Sequence, residues 1–348
     1  MEGLLEAGPG VWATGPIELY SGCTLSLAEG AVISFIPEPA RYPPVQSRWE
    51  GIECHAMHPC LFSSGQQDVA VVGRGSIDCN GAVWWSLFRD KQAAGQDGPE
   101  SDIEKTLALL NRGYNSQPGG GGGRATQFLR PPAIQFFKCR NVTIRDITVI
   151  NSPFWTIHPV YCENLEISGV TITNPQDAPN TDGIDIDSCT EVLVQDCVIS
   201  VGDDGIALKS GSGPDGLRVN RPTRDVTVRN CTVGAGHGGI VIGSETAGGI
   251  SQVLTEDCRF IGPDGGIRIK SRRGGAWIKT DVGVPQPCDG RQSLPGNHQY
   301  VLPLRCIGWM TGSCCPWLPS LWTQEHRSCG IFIFPASWLT AAGLRRAS

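Results

Sequence analysis

The stretch CRNVTIRDITV, residues 139–149, decides the fold because it recurs along the chain. Four later segments align with it without gaps, namely CENLEISGVTI at 162–172, CTEVLVQDCVI at 189–199, TRDVTVRNCTV at 223–233 and ISQVLTEDCRF at 250–260. Their first residues are 23, 27, 34 and 27 positions apart. A repeat of this length indicates a solenoid, in which each repeat packs mainly on its neighbours.

Apolar residues recur at the same four positions of the repeat. The columns contain Val142, Leu165, Val192, Val226 and Val253; Ile144, Ile167, Val194, Val228 and Thr255; Ile147, Val170, Cys197, Cys231 and Cys258; and Val149, Ile172, Ile199, Val233 and Phe260. Apolar, mostly β-branched residues two apart, between polar turns, predict short strands. The repeats are too short for βαβ units, so we predict an all-β, single-stranded parallel β-helix. Its columns would form interior ladders, with the cysteines as buried small apolar residues.

The rest of the chain divides near residue 272. Alternating runs such as residues 24–27 and 32–35 predict further coils, so we expect a β-helix domain over residues 1–271. Within it, residues 95–125 form a predicted excursion, in which a segment of helical composition (100–111) precedes five glycines (119–123). Residues 272–348 contain five of the ten tryptophans and continue no ladder. We predict an atypical tail there, and favour a decayed, disordered or non-native-frame segment over a genuine small domain.

Composition argues against several classes of protein. The chain has 28 Lys and Arg against 34 Asp and Glu, and its net charge of -6 has the wrong sign for binding nucleic acid. No apolar run reaches the roughly 18 residues of a membrane span, so no membrane partner is expected. Fifteen cysteines, an odd number without metal-ligand spacing, argue against a complete disulfide framework, and we expect neither metal nor cofactor. The start, MEGLLEAGPG, lacks a recognisable secretory signal.

A second strand in each repeat contains the candidate site. Aligned on one apolar residue, it reads FWTIHP around Trp155, NTDGIDID around Ile184, GDDGIALKS around Ile206, GHGGIVIGS around Ile240 and DGGIRIKS around Ile267. Equivalent residues on adjacent coils of a β-helix lie about 4.8 Å apart. The repeat therefore brings six chemically active residues to one wall, and these are Asp182, Asp203, Asp204, His237, Arg268 and Lys270.

The three aspartates in this set suit acid–base chemistry. Strict alternation would place Asp203 on the opposite face from Asp182 and Asp204, so a bend at the glycine-flanked turn is required. Two unit charges 5 Å apart repel by roughly 3 kcal/mol at an effective dielectric near 20, or about two pKa units. We therefore expect the cluster to hold one proton at mildly acidic pH, which provides the acid and the base of glycoside hydrolysis. Turn capping or Ca²⁺ binding is the alternative role for such aspartates.

The same motifs resemble those of a known family. NTD at 180–182, GDDGIALKS at 202–210, GHGG at 236–239 and RIKS at 268–271 are similar, in this order, to the four signature motifs of glycoside hydrolase family 28, the polygalacturonases and related pectin hydrolases. GPIEL at 15–19, RWEG at 48–51 and SIDCNGAVWW at 76–85 resemble the bacterial branch of that family. The resemblance covers about residues 8–275.

This resemblance implies a right-handed β-helix that hydrolyses α-1,4 bonds between galacturonate residues with inversion of configuration. It implies that Asp203 is the general acid, that Asp182 and Asp204 activate water, and that His237 supports them. Arg268 and Lys270 match the pair that binds a uronate carboxylate, so the expected partner is an anionic polysaccharide such as pectin or galacturonan. RWEG and IGSE (242–245) are more similar to exo-acting relatives, and the family implies a secreted or periplasmic location.

Other functions fit parts of this pattern. A rhamnogalacturonan or xylogalacturonan hydrolase would use the same carboxylates with different loops. A pectate lyase also uses a parallel β-helix, but it requires Ca²⁺ and a base for the C5 proton, which the DD pair and the GHG histidine suit less well. A glycan-binding adhesin needs no catalytic motifs, and an inactive, incomplete β-helix is compatible with a sequence that departs from the family after Arg273.

Overall fold

The computed structural model describes residues 3–95, 98–114, 123–271, 282–283 and 330–332. The first fourteen strands are β1 (Gly3–Ala7), β2 (Gly10–Thr14), β3 (Ile17–Glu18), β4 (Cys23–Leu27), β5 (Ala31–Phe35), β6 (Pro44–Trp49), β7 (Ile52–Met57), β8 (Leu61–Ser64), β9 (Gln67–Gly73), β10 (Ser76–Asp78), β11 (Ile134–Phe137), β12 (Arg140–Arg145), β13 (Thr148–Ile150) and β14 (Ile157–Val160). The later strands are β15 (Glu163–Ser168), β16 (Thr171–Thr173), β17 (Ile184–Asp187), β18 (Thr190–Gln195), β19 (Val198–Ser200), β20 (Asp204–Lys209), β21 (Thr223–Arg229), β22 (Thr232–Ala235), β23 (Gly238–Ile242), β24 (Ile250–Glu256), β25 (Arg259–Phe260), β26 (Ile267–Ser271), β27 (Val282–Gly283) and β28 (Gly330–Phe332). The helices are α1 (Gly81–Ala94), α2 (Asp102–Leu110), α3 (Gly213–Val219) and a 3-10 turn, Pro39–Arg41.

Most strands belong to three long sheets. Sheet A has the spatial order β1-β4-β9-β12-β15-β18-β21-β24-β27, and sheet B has the order β2-β5-β10-β13-β16-β19-β22-β25. Sheet C has the order β28-β26-β23-β20-β17-β14-β11-β8-β3, and its pairings are parallel except for β28 on β26. Each coil contributes one strand to each sheet and then returns one position along. The chain therefore winds as a single-stranded right-handed parallel β-helix, which confirms the predicted fold class.

The strand register confirms the sequence repeat. In sheet A, Val142 pairs with Leu165 and Leu165 with Val192, and in sheet B, Val149 pairs with Ile172. These residues are buried in one continuous core. Fully burying an aliphatic side chain of this size contributes about 1.5–3 kcal/mol. The ladders therefore hold successive coils in a single register, because a one-residue slip would turn each apolar column outwards.

The cysteines occupy the interior as predicted. Cys197 and Cys231 are 1% exposed and Cys258 is partly buried, and within the described ranges every cysteine is a free thiol. The Sγ atom of Cys197 lies 3.2 Å from the carbonyl oxygen of Gln195, so the thiol also donates to a partly buried backbone acceptor. These residues act as small apolar side chains that fit a narrow corner of the coil.

The predicted alignment of the sheet C strands is confirmed for Ile184, Ile206, Ile240 and Ile267, but not for the coil that contains Trp155. Ile184 pairs with Ile206, and the same column continues through Ile240 to Ile267. Its partner on the preceding coil is Ile157 and not Trp155, so the alignment on Trp155 was wrong by two residues. Ile157 fills this position of the ladder, whereas the Trp155 ring, also buried in the core, stacks on Phe154 with centroids 5.0 Å apart.

Insertions between coils add structure that the repeat does not contain. Strands β6 and β7 form an antiparallel hairpin, which the sequence pattern did not predict. Helix α1 follows β10, and α2 lies inside the predicted excursion at 95–125, where Ser101 and Glu104 form a capping box. Residues 115–122 of that excursion lie outside the described residues.

The C-terminal segment is described only in part. The predicted atypical tail, residues 272–348, lies outside the described residues except for β27 and β28. Strand β27 pairs with β24 in sheet A, where Val253 is opposite Val282. Among the described residues, none of the helices has the length and apolar character that crossing a membrane requires.

Candidate active site

Three aspartates converge where β17 and β20 of sheet C begin. One carboxylate oxygen from each of Asp182, Asp203 and Asp204 lies within 4.8 Å of the other two. The side chains of Asp182 and Asp204 are 4% and 1% exposed, whereas that of Asp203 is 21% exposed. The cluster predicted from the repeat is therefore present, with two carboxylates embedded in protein and one that reaches solvent.

A bend between Asp203 and Asp204 brings the three side chains together, as the alternation argument required. Asp203 lies in a bend and Asp204 is the first residue of β20. Glycines on both sides permit this path. A Cβ on Gly202 would lie 2.4 Å from the carbonyl oxygen of Ala178, and one on Gly205 would lie 2.8 Å from the carbonyl oxygen of Gly239. Larger residues would therefore push the coils apart.

His237 lies on the next coil and contacts Asp203 directly. Its Nδ1 atom is 3.1 Å from Asp203 Oδ1, and its backbone amide donates to the Asp203 carbonyl oxygen at 2.8 Å. The hydrogen bond to Asp203 raises the pKa of His237 above its ordinary value, against the opposing effect of burial. Burial alone would raise the pKa of Asp203, but the hydrogen bond and the charge of His237 outweigh it and lower that pKa. The pair is thus a hydrogen-bonded ion pair at mildly acidic pH.

The two predicted substrate-binding cations also reach the cluster. Lys270 Nζ lies 2.5 Å from Asp204 Oδ2, and Arg268 Nη1 lies 4.0 Å from Asp204 Oδ1. Their strand β26 is two positions beyond β20 in sheet C, so two strand spacings of about 4.8 Å place their backbone roughly 10 Å along the axis from Asp203. Their long side chains extend back across β23. Each remains about one-fifth exposed, so a bound anion could still contact them.

A buried lysine beneath the cluster was not identified as a site residue from the sequence. Lys209 Nζ lies 3.0 Å from Glu245, 3.5 Å from Asp185 and 3.8 Å from Asp182. It also lies 4.4 Å from the centre of the Trp155 ring. The alternation in GDDGIALKS could have identified it. Because Ile206 and Leu208 face the core, Lys209 must lie on the outer face of sheet C, the face that also carries Asp185.

Burial and these charges distribute the protons of the cluster unevenly. Burial, followed by the charges of Asp185 and Asp203, raises the pKa of Asp182 well above its ordinary value. Burial raises the pKa of Asp185 to about 8, with the charge of Lys209 acting in the opposite direction. The pKa of Glu245 falls to about 2, because its contacts with Lys209 outweigh its burial. The one proton expected on the cluster therefore resides on the Asp182 side in the free protein, and not on Asp203.

The geometry favours a water molecule over a metal ion. The three carboxylate oxygens lie no more than 4.8 Å apart. A point at their centre is therefore within about 2.8 Å of each oxygen, because 4.8 divided by the square root of three is about 2.8, and this is the distance of a hydrogen bond. A divalent cation at this point would be repelled by Lys270, Arg268 and Lys209, which lie 2.5–4.0 Å from the same carboxylates. Ca²⁺ also requires six to eight oxygen ligands at about 2.3–2.6 Å.

The β6–β7 hairpin packs beside this cluster. Its residue Arg48 is fully buried and donates to Asp187 Oδ1 at 2.9 Å and to Ser188 Oγ at 2.7 Å. At its turn, a Cβ on Gly51 would lie 2.8 Å from Glu245 Cγ. The RWEG and IGSE segments noted in the sequence are therefore in contact with each other, next to Lys209.

Comparison with known proteins agrees with this geometry. Residues 119–282 match the family described as Glycosyl hydrolases family 28. A probable polygalacturonase of Vitis vinifera is 33% identical over 311 residues, which are 87% of this chain and 54% of that protein. An endo-polygalacturonase of Pectobacterium carotovorum is 28% identical over 296 residues, 80% of this chain and 62% of that protein.

A solved structure gives the same result for the fold. The exopolygalacturonase of Thermotoga maritima superimposes with a TM-score of 0.69 at 32% identity, over 81% of this chain and 63% of that one. The chain thus spans roughly half to two thirds of the length of these three proteins. Because both plant and bacterial proteins match, the bacterial branch inferred from the sequence stays a prediction. Together these matches support a glycoside hydrolase.

Proposed function

We propose that this chain, whose residues 119–282 match Glycosyl hydrolases family 28, hydrolyses α-1,4 bonds between galacturonate residues of pectin. The observation that carries the proposal is the triangle of carboxylate oxygens within 4.8 Å of one another, bordered by two partly exposed cations. A carboxyl group that protonates the leaving oxygen, and a carboxylate that activates water, are the two requirements of glycoside hydrolysis. The cations suit a substrate with a carboxylate on each sugar.

We assign the general acid to Asp203. Its side chain is 21% exposed while those of Asp182 and Asp204 are nearly fully buried, so Asp203 is the member of the cluster that a glycosidic oxygen in the cleft can approach. The acid must be protonated when the bond breaks. The three carboxylates titrate as one coupled group, so a proton held by Asp182 in the free protein can transfer to Asp203 once the sugar occupies the site.

Asp182 and Asp204 are proposed to orient the attacking water, and the reaction to invert configuration. The separation of the carboxylates is the feature that most needs testing. Inverting enzymes usually hold the two carboxyl groups about 6.5–9.5 Å apart and retaining enzymes about 5–5.5 Å apart, whereas the nearest oxygens here lie within 4.8 Å. A water molecule at the centre of the three oxygens would lie within hydrogen-bond distance of each, which supports single displacement despite the short separation.

The cations are proposed to bind the uronate carboxylate of the sugar at the scissile bond. Lys270 and Arg268 already face Asp204, both are partly exposed, and the charge of Lys270 also acts on Asp203. A charge-assisted hydrogen bond to a carboxylate contributes about 1.5–3 kcal/mol. Polygalacturonate is therefore the preferred substrate over its methyl ester or over a neutral polymer.

We further propose that attack is exo. The turn of the β6–β7 hairpin contacts the segment that contains Glu245, so an inserted loop lies beside the cluster. An inserted loop at one end of a cleft limits how far a polymer can extend past the scissile bond. The exopolygalacturonase likeness at 32% identity agrees with this, while an endo-acting relative also matches, at 28% identity.

A polymeric pectic substrate lies outside the producing cell, so the proposed location is secreted or periplasmic. Fractionation of producing cells tests this, and activity confined to the cytoplasmic fraction would contradict it.

One experiment tests reaction and substrate together. The full chain is incubated with polygalacturonate, rhamnogalacturonan and xylogalacturonan, and the products are separated by anion-exchange chromatography. We expect release of short saturated galacturonides from polygalacturonate, at first as mono- or digalacturonate alone. A ladder of longer oligomers would indicate endo attack, and absorbance near 235 nm would indicate a lyase. NMR of the first products distinguishes inversion from retention, and a product with the α configuration of the substrate would reject the single-displacement assignment.

A further inference from the structure

The buried ammonium group of Lys209 lies next to three carboxylates at the candidate site, those of Asp182, Asp185 and Glu245. Lys209 is 4% exposed, and its Nζ atom lies within 4.0 Å of three acidic side chains. It donates a hydrogen bond to Glu245, on a neighbouring coil, at 3.0 Å. The same Nζ atom lies 3.5 Å from Asp185 Oδ1 and 3.8 Å from Asp182 Oδ2. An ammonium group has three donors, so it can serve all three carboxylates at once.

Asp185 makes this arrangement unusual. It is fully buried, and the cation that neighbours it is Lys209, whose Nζ atom lies 3.5 Å from Asp185 Oδ1. A buried carboxylate without a partner is costly, and Lys209 is the nearby cation that offsets it. The ionisable groups that face Lys209 from the elements packed around it are Asp182, Asp185, Asp203, Asp204, Glu245 and His158. Carboxylates outnumber cations in this group, so the number of protons that it binds depends on Lys209.

We propose that Lys209 is a positioning residue of the reaction, whose buried ammonium group holds Asp182 in the orientation that water activation requires and favours its ionised form once its proton has moved to Asp203. Glu245 anchors the ammonium group in that position. The inference rests on the proposed function in one respect, namely that Asp182 activates water. Lys209 itself is buried and reaches neither the sugar nor the water.

The size of the effect follows from the distance. At 3.8 Å and an effective dielectric of about 20, Coulomb's law gives an attraction that corresponds to about three pKa units. Relaxation and water entry reduce this value, so removal of the charge is expected to raise the pKa of Asp182 by about one to three units. Removal of the Glu245 charge acts in the opposite direction, because it frees the ammonium group to move towards the two aspartates.

The experiment compares the pH dependence of kcat in four full-length variants. Lys209→Met is expected to move the acidic limb of the kcat profile upwards by at least about one pH unit, with KM for polygalacturonate changed less than about threefold. Lys209→Arg keeps the charge and is expected to restore most of the shift. Glu245→Gln is expected to move the limb to lower pH. Lys91→Met is the matched control, since Lys91 is also largely buried, pairs with Glu104 at 2.9 Å and lies over an aromatic ring, Phe128.

A second readout needs no substrate. The carboxyl carbon of Asp182 is titrated by ¹³C NMR in the parent, in Lys209→Met and in Glu245→Gln, with Asp182→Asn used for assignment. A parent that cleaves no polygalacturonate would reject the proposed function, while this titration would still decide the role of Lys209. Equal profiles for Lys209→Met and Lys91→Met, or an unmoved Asp182 resonance midpoint, would overturn the inference. If Lys209→Met does not fold, the test rests on Glu245→Gln. An acidic limb of the kcat profile that moves to higher pH, or does not move, in Glu245→Gln would also overturn the inference.

Discussion

Replacement of Asp203 by Asn separates catalysis from folding most cleanly. The change is isosteric, and an amide oxygen can still accept the hydrogen bond from His237 Nδ1, which is 3.1 Å from Asp203 Oδ1. What is lost is the ability to carry a proton. General acid catalysis is typically worth 10²- to 10⁴-fold, which corresponds to about 3–5 kcal/mol of transition-state stabilisation.

The cost to stability is expected to be much smaller. The His237 side chain is 52% exposed, so its ion pair with Asp203 is screened by solvent. Exposed ion pairs contribute about 1 kcal/mol or less, which shifts the unfolding midpoint of a domain of this size by about 2–4 °C. The loss of activity should therefore exceed the loss of stability several-fold on the same free-energy scale, because only the chemistry depends on the proton.

The assay measures initial rates of reducing-sugar release from polygalacturonate across pH, with thermal unfolding followed by circular dichroism. Asp264→Asn is the matched control, since Asp264 is exposed and its charge also acts on His237, although the pKa of His237 depends first on its hydrogen bond to Asp203. We expect a fall in kcat of at least about a hundredfold in Asp203→Asn, and less than about threefold in Asp264→Asn. If Asp203→Asn retains more than a tenth of the parent rate, Asp203 is not the acid. If its unfolding midpoint falls by more than about 10 °C, the lost activity would reflect damage to the fold.

Two further predictions concern the charges around the cluster. Lys270→Met is expected to raise KM for polygalacturonate by about 10- to 150-fold and also to lower kcat, because the substitution removes both a contact for the uronate and the cation 2.5 Å from Asp204. Lys138→Met, on an exposed lysine that follows β11 of sheet C, should change neither KM nor kcat. An equal loss on methyl-esterified pectin would exclude the uronate-binding role of Lys270. The second prediction is that the His237–Asp203 pair stabilises the fold most between about pH 4 and 6.5. Because the pKa of His237 is raised, its contribution to the free energy of unfolding is complete below pH 6.5 and is lost as pH rises through the folded-state pKa. Because the pKa of Asp203 is lowered, its contribution is present above pH 3.8 and is lost as pH falls through the folded-state pKa. Unfolding midpoints of the parent and of Asp203→Asn should therefore differ most within that interval, and a difference that does not vary with pH would exclude the pair as its source.

The β-helix and its catalytic wall could be predicted from the sequence because both depend on a repeated, local pattern. Residues two apart along a strand face the same side, and buried ladders such as Val142 on Leu165 fix how successive coils align. Once that alignment is set, Asp182, Asp203 and His237 come to adjacent coils, and the bend at the glycine-flanked turn brings their side chains together.

The tertiary structure decided what the repeat does not encode. Arg48 meets Asp187, 139 residues later, and this contact depends on the path of an aperiodic insertion, the β6–β7 hairpin. Lys209 meets Glu245 on the adjacent coil, just beyond the end of β23, where the sequence repeat predicts no side-chain contact. The assignment of Trp155 to the aligned column failed for a related reason, because an apolar residue beside a coil corner can pack outside the ladder while Ile157 fills it. The sequence alone determined which residues share a wall. The depth of each charge below the surface, and hence where the protons reside, depended on the side chains that the insertions bring over that wall.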